Sequence, residues 1–172
     1  MRRRGPNREG FAALLPVLED DEAAVREVLQ RLNDGAASPF ESLSGTHFVR
    51  LVVLPRFGGL PALLFFAAEF DAFVGGFLEA LCTVMPDESD EIFGRCVRYP
   101  GTGAPPEFKR WMLAHRVRPG FTIIGNPGAS TAEVERCLRL RQHIIDFALE
   151  TRNADAAVLS ERWAEQVWET GA

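Results

Sequence analysis

In the stretch THFVRLVVLP, His47 and Arg50 stand inside an otherwise apolar run. An imidazole can move a proton near neutral pH, and a guanidinium can clamp a carboxylate or a phosphate. Strand alternation puts His47, Val49, Leu51 and Val53 on one face, and Phe48, Arg50, Val52 and Leu54 on the other. The two polar side chains therefore converge on one pocket only if a bulge intervenes. Arg50 has apolar neighbours, and an unpaired buried guanidinium is costly. Glu69 and Asp71, at the end of the next apolar run, are its in-chain partners, so a structural ion pair is expected before an anion clamp. For His47, near the start of its strand, the plain reading is an exposed or loop-bonded imidazole.

A second group lies in IFGRCVRYPG, where Cys96 is flanked by Arg95 and Arg98, and Tyr99, the one tyrosine, precedes Pro100. Flanking arginines favour a thiolate, and a phenol beside a thiol suits redox or acid–base work. The competing reading makes Tyr99 a loop anchor that packs its ring and bonds its hydroxyl. Cys82 and Cys137 fall on apolar helix stripes, which predicts inert core thiols. The three histidines and three cysteines are scattered, without CxxC or a zinc-ligand spacing. His115 and His143 read as satisfied or solvated residues, and GNPGAST (125–131) as a turn before a helix rather than a phosphate loop.

These residues belong to a chain of 172 residues, 47% hydrophobic and 25% charged, which suits one compact domain and excludes disorder. A formal net charge of −5 argues against nucleic acid as a partner. The longest apolar run, Leu60 to Ala68, contains a proline and is too short to span a bilayer, and MRRRGPNREG lacks the apolar core of a secretory signal. The expected location is cytoplasmic.

The elements follow from periodicity. FAALLPV predicts a strand, and Val25, Val28, Leu29 and Leu32 an amphipathic helix stopped near Gly35. THFVRLVVLP and ALLFFAAEF, joined across RFGGLP, predict a β-hairpin. Asp71 then caps a helix with a buried stripe from Phe70 and Phe73 to Met85, ended by Pro86. EFKRWMLAHRV is a short inserted helix and GFTIIGNPG a strand. A long helix follows, with Val134, Cys137, Leu138, Ile144, Ile145 and Ala148 buried, and a short one closes the chain. The order predicts an α+β fold: a ferredoxin-like split βαβ with a four-stranded antiparallel sheet, an inserted helix and additional C-terminal helices. Residues 1–9 form a flexible basic tail, 10–150 the domain and 151–172 a helical extension. The second face of the sheet needs a cover: the inserted helix, the C-terminal helix or a second subunit.

THFVRLVVLP, LLFFAAEFD and IFGRCVRYPG together resemble a pattern in uncharacterised bacterial proteins of ferredoxin-like, dimeric α/β-barrel type. That pattern has THFAR in a strand, an L-F-x-x-N-F-D strand end and a W-x-x-C-x-G-Y-P segment. Here Glu69 replaces the Asn, Phe93 the Trp and Arg98 the Gly. The resemblance implies a homodimer, within a superfamily that includes haem-dependent peroxidases and small monooxygenases.

Two functions are therefore expected. The leading one is a non-catalytic module that binds a small apolar or anionic ligand or assembles as a homodimer, with no cofactor. The alternative is a peroxidase-like or monooxygenase-like oxidoreductase, with haem as its cofactor. The ligand-binding candidates are His47, Arg50, Glu69, Asp71, Cys96 and Tyr99, with no metal ligand among them.

Overall fold

The computed structural model describes residues 8–35, 38–118 and 129–169, and side chains as far as residue 164. The chain divides into two compact units, residues 1–131 and 132–172. The first contains β1 (Glu9–Pro16), α1 (Glu22–Asp34), a 3-10 turn (Pro39–Ser42), β2 (Thr46–Leu54), β3 (Leu63–Phe70), α2 (Val74–Thr83), α3 (Pro86–Phe93) and α4 (Pro105–Ala114). α5 (Thr131–Glu150) begins on the last residue of the first unit and, with α6 (Ala156–Glu169), accounts for the second. No helix among the described residues is long and apolar enough to cross a membrane.

The sheet has three antiparallel strands in the order β1-β3-β2, not the four expected. On the outer edge of β1, among the described residues, two separate segments form isolated bridges: Ala13 with Arg116, and Val17 with Cys96. A single bridge at Arg116 does not make a ladder, so the described sheet stops at three. The strand expected over GFTIIGNPG and the turn that follows it lie outside the described residues up to residue 128, as does the basic tail up to residue 7. The hairpin between β2 and β3 forms as its glycines predict. Gly58 and Gly59 have φ of 58° and 82°, the left-handed pair that a two-residue turn between twisted strands requires.

The register places side chains in rows across the strands. On one face, Leu15, Leu64 and Val53 form a row, followed by Ala13, Phe66 and Leu51, and then by Phe11, Ala68 and Val49. Helices cover this face. Phe66 is fully buried and meets Phe93 of α3 edge-on at 5.4 Å, while Phe70 stacks on Phe77 of α2 at 4.0 Å. The inserted helix α4 joins the same layer through Phe108 and Trp111, both against Phe93. It therefore does not cover the second face of the sheet. Pro86 ends α2 and also opens α3, since a proline at the first helical position lacks only an N–H that would have had no helical partner.

Two other expectations about helices are corrected. α2 starts at Val74 rather than at Asp71, leaving Phe70 in β3 and Phe73 exposed. The N–H of Val74 donates to the Glu9 carboxylate at 3.0 Å, so the helix start is satisfied from β1. In α5 the expected stripe is largely uncovered: Val134, Cys137, Leu138 and Ile144 are exposed, Ile145 is half-buried, and Phe147 alone is buried, against Trp163. A pair of helices has too little facing surface to bury a whole stripe.

Phe66→Ala should destabilise the first unit by about 3–5 kcal/mol, the usual cost of emptying a phenylalanine site in a packed core. Denaturant unfolding measures it, and a loss below about 1 kcal/mol would place the core elsewhere.

Candidate functional site

At the end of the sheet where β1 begins, a β-bulge interrupts the β2–β3 register between Thr46 and Phe48. The bulged residue is His47. The extra residue turns its imidazole toward the end of β3, where Nε2 lies 2.8 Å from Oδ1 of Asp71. A guanidinium nitrogen of Arg8 stands 3.4 Å from the other ring nitrogen, Nδ1. Arginine can only donate, so Nδ1 accepts and Nε2 carries the proton given to Asp71. All three side chains are largely shielded, at 13% exposure for Arg8, 18% for His47 and 10% for Asp71.

Asp71 is the hub. Its second oxygen accepts from the backbone N–H of Thr131 at 2.8 Å and from the Thr131 hydroxyl at 3.1 Å. Its own N–H donates to the Gly45 carbonyl at 2.8 Å, just before β2. Burial disfavours the Asp71 charge, yet the hydrogen bonds from His47 and Thr131 outweigh it and hold the carboxyl below its ordinary value of 3.8. Asp71 is thus paired with His47, with Arg8 3.7 Å away, and not with Arg50.

Arg50 is exposed and points to the other side of the sheet, with no hydrogen-bond or ion-pair partner among the described residues. The expected buried ion pair is absent because β2 is an edge strand, so Arg50 reaches water without one. Glu69 shares that face, opposite Phe48 in the register, and does not bond Arg50. His47 and Arg50 nonetheless border one cleft of about 510 Å³ between β2, the second half of α1 and the 3-10 turn.

Cys96 and Tyr99 lie at the opposite end of the sheet, since Cys96 bridges Val17 just beyond β1. They do not converge with His47 and Asp71. Burial pushes the Cys96 thiol up to about 12, which overrides its flanking arginines; Arg95 instead pairs with Asp21 at 2.9 Å. The Tyr99 hydroxyl donates to Asp90 at 2.6 Å, and burial together with that carboxylate pushes the phenol up. Asp90 also accepts from the N–H and hydroxyl of Thr102 at 2.9 and 3.0 Å. Burial opposes the Asp90 charge, but these bonds outweigh it and keep the carboxyl low. Tyr99 is therefore the anchor of its loop. Cys82 is buried with its thiol pushed up to about 11, whereas Cys137 is exposed rather than core. His115 bonds the Trp111 carbonyl at 2.8 Å, and His143 is exposed.

Sequence reasoning missed Arg8, Glu9 and Thr131. The first two looked like tail, and Thr131 is 60 residues from the aspartate it bonds. No cluster of metal-binding side chains occurs among the described residues. Searches of family models, curated proteins and solved structures found no match to the chain.

Asp71→Asn should cost about 1.5–3 kcal/mol at pH 7, the range for hydrogen bonds to a charged group. The folded carboxyl titrates below its unfolded value of 3.8, so its contribution is present above that pH and is lost as pH falls through the folded value. The gap between wild type and variant in urea unfolding should accordingly close in acid; a gap independent of pH would refute the charged pairing. Iodoacetamide at pH 8 should label Cys137 well before Cys82 or Cys96, and peptide mapping reads the order.

Proposed function

We propose that the domain is a non-catalytic binding and assembly module that pairs with a second copy of itself through the second face of its sheet. The observation that carries this reading is the composition of that face. Its rows across β1, β3 and β2 are Pro16, Leu63 and Leu54; Leu14, Phe65 and Val52; Ala12, Ala67 and Arg50; and Gly10, Glu69 and Phe48. Only Arg50 and Glu69 are charged. Antiparallel sheets with one solvated face alternate apolar and polar side chains, and this sheet does not. Its outward residues are half-buried or exposed, with Phe48, Val52 and Leu54 near 40%.

The helices α2, α3 and α4 are committed to the other face through Phe77, Phe93 and Phe108, so within the first unit they offer no cover. A two-fold pairing places one apolar patch against its own copy and suits a face with few charges to oppose one another. The resemblance of THFVR and the Tyr-Pro segment to proteins of dimeric α/β-barrel type carries the same expectation.

Light scattering behind size exclusion should give wild type about twice the chain mass of 19.1 kDa. Phe65→Glu and Val52→Glu, on adjacent strands of one row, should each give a monomer with unchanged circular dichroism. A monomeric wild type, or variants that remain dimeric, would refute the sheet-face pairing.

A further inference from the structure

β2 is an edge strand, and its outer side carries no bridge among the described residues, whereas that of β1 carries two. The register decides which backbone groups of β2 face outward. Val17 donates its N–H to the Ala62 carbonyl at 2.9 Å, one step beyond the Pro16–Leu63 pair. Bonded pairs alternate along an antiparallel ladder, so Leu15, Ala13 and Phe11 bond β3 at Leu64, Phe66 and Ala68. In β3 this leaves Leu63, Phe65, Ala67 and Glu69 to bond β2, at Leu54, Val52, Arg50 and Phe48. The N–H and C=O groups of Val49, Leu51 and Val53 therefore point away from the sheet. Arg26 of α1 meets the Val53 carbonyl at 3.3 Å, which agrees with that direction and closes one end of the edge. The outward groups of Val49 and Leu51 have no hydrogen-bond partner among the described residues.

The two sides of this edge differ in chemistry. The side chains of Val49 and Leu51 turn toward the helices, where Leu29 and Leu32 of α1 and Phe40 of the 3-10 turn border the cleft of about 510 Å³. Its polar side chains are committed: Glu41 accepts the Ser38 N–H at 3.2 Å, and His47 is held by Asp71 and Arg8. Arg50 turns the other way, to the second face, where it is exposed and has no ion-pair partner among the described residues. A strand added to the edge places each side chain on the same side as the residue it opposes. Residues opposite Val49 and Leu51 thus enter the apolar cleft, and the residue between them lies beside Arg50.

We propose that the edge of β2 takes up an extended segment of a partner protein, with the side-chain pattern apolar–acidic–apolar, as an added antiparallel strand. The N–H and C=O groups of Val49 and Leu51 supply the main-chain bonds, and the cleft receives the two apolar side chains. The acid between them gives Arg50 its counter-charge. Arg50 lies on the border strand of the second face, so that acid stands at the rim of a sheet-face dimer, and uptake of the segment needs no second copy.

The probe is the peptide acetyl-Thr-Ile-Glu-Ile-Thr-amide, titrated into the full chain and followed by calorimetry and amide hydrogen exchange. Exchange at Val49 and Leu51, fast in the free chain, should slow on saturation, while Arg50 and Val52, already bonded to β3, should not change. Lys in place of the peptide's Glu should weaken binding about fivefold, the scale of a cross-strand charge pair. Arg50→Glu should reverse the order of those two peptides. Methylating the backbone nitrogen of either Ile should weaken binding about tenfold, because a main-chain bond is lost. Phe65→Glu, which breaks the sheet-face pairing, should bind the peptide as wild type does. No saturable binding at millimolar peptide, equal affinity for the methylated peptide, a peptide order that Arg50→Glu leaves unchanged, or loss of binding in Phe65→Glu would each overturn the proposal. So would slow exchange at Val49 and Leu51 in the free chain, whether a second copy or another segment of this one holds that edge.

Discussion

Phe66 is where the parts of the first unit meet. It lies in the middle of the central strand, between Ala13 of β1 and Leu51 of β2, and its ring touches Phe11, Phe77 and Phe93. A central strand has both edges bonded, so its side chains can only go up or down, and β3 is mostly apolar in both directions. The helix layer fills one side. That packing fixes the rotation of β3, and with it the direction of every side chain on its neighbours. The second face of the sheet and the orientation of Arg50 are consequences of how Phe66 is buried.

The polar cluster at the strand ends depends on the same registration. Asp71 directly follows β3, and Gly45 directly precedes β2, so antiparallel pairing delivers both to one place. The bulge then supplies the one-residue shift that brings His47 to Asp71. Arg8 and Glu9 arrive because β1 starts opposite Phe70, the last residue of β3. Four side chains from distant parts of the chain, those of Arg8, His47, Asp71 and Thr131, become neighbours without any local sequence signal. Each buried charge has a counter-charge or hydrogen-bond donors, the condition for keeping charges in so shielded a place. The arrangement holds the sheet end together and leaves Arg50, on the opposite face of the sheet, outside it.

Much of this architecture was legible in the residues. The alternation in THFVRLVVLP and LLFFAAEF, with Gly58-Gly59 between them, specifies a hairpin because left-handed glycines and β-branched runs leave few other conformations. Leu29 and Leu32, at helical spacing with Val25 and Val28, show the face of α1 that packs inward. The anchoring role of Tyr99 was legible as one of two alternatives, and its acceptor Asp90 was not. Less legible was the partner of Asp71, because Arg50 and His47 are both plausible hydrogen-bond donors to it, and only the position of a bulge separates them. The burial of Cys96 was also invisible, since flanking arginines look the same whether the thiol faces water or core.

By itself, then, the sequence determined the local geometry: which segments extend, which coil, where the hairpin turns, and that the sheet is apolar on both faces. Those properties depend on residues a few positions apart, whose propensities and periodicity are written in order along the chain. Tertiary structure alone decided that the described sheet has three strands, that His47 rather than Arg50 meets Asp71, and that α4 joins the existing helix layer. Such outcomes depend on contacts across tens of residues, where a one-residue change in register redirects a side chain to the opposite face.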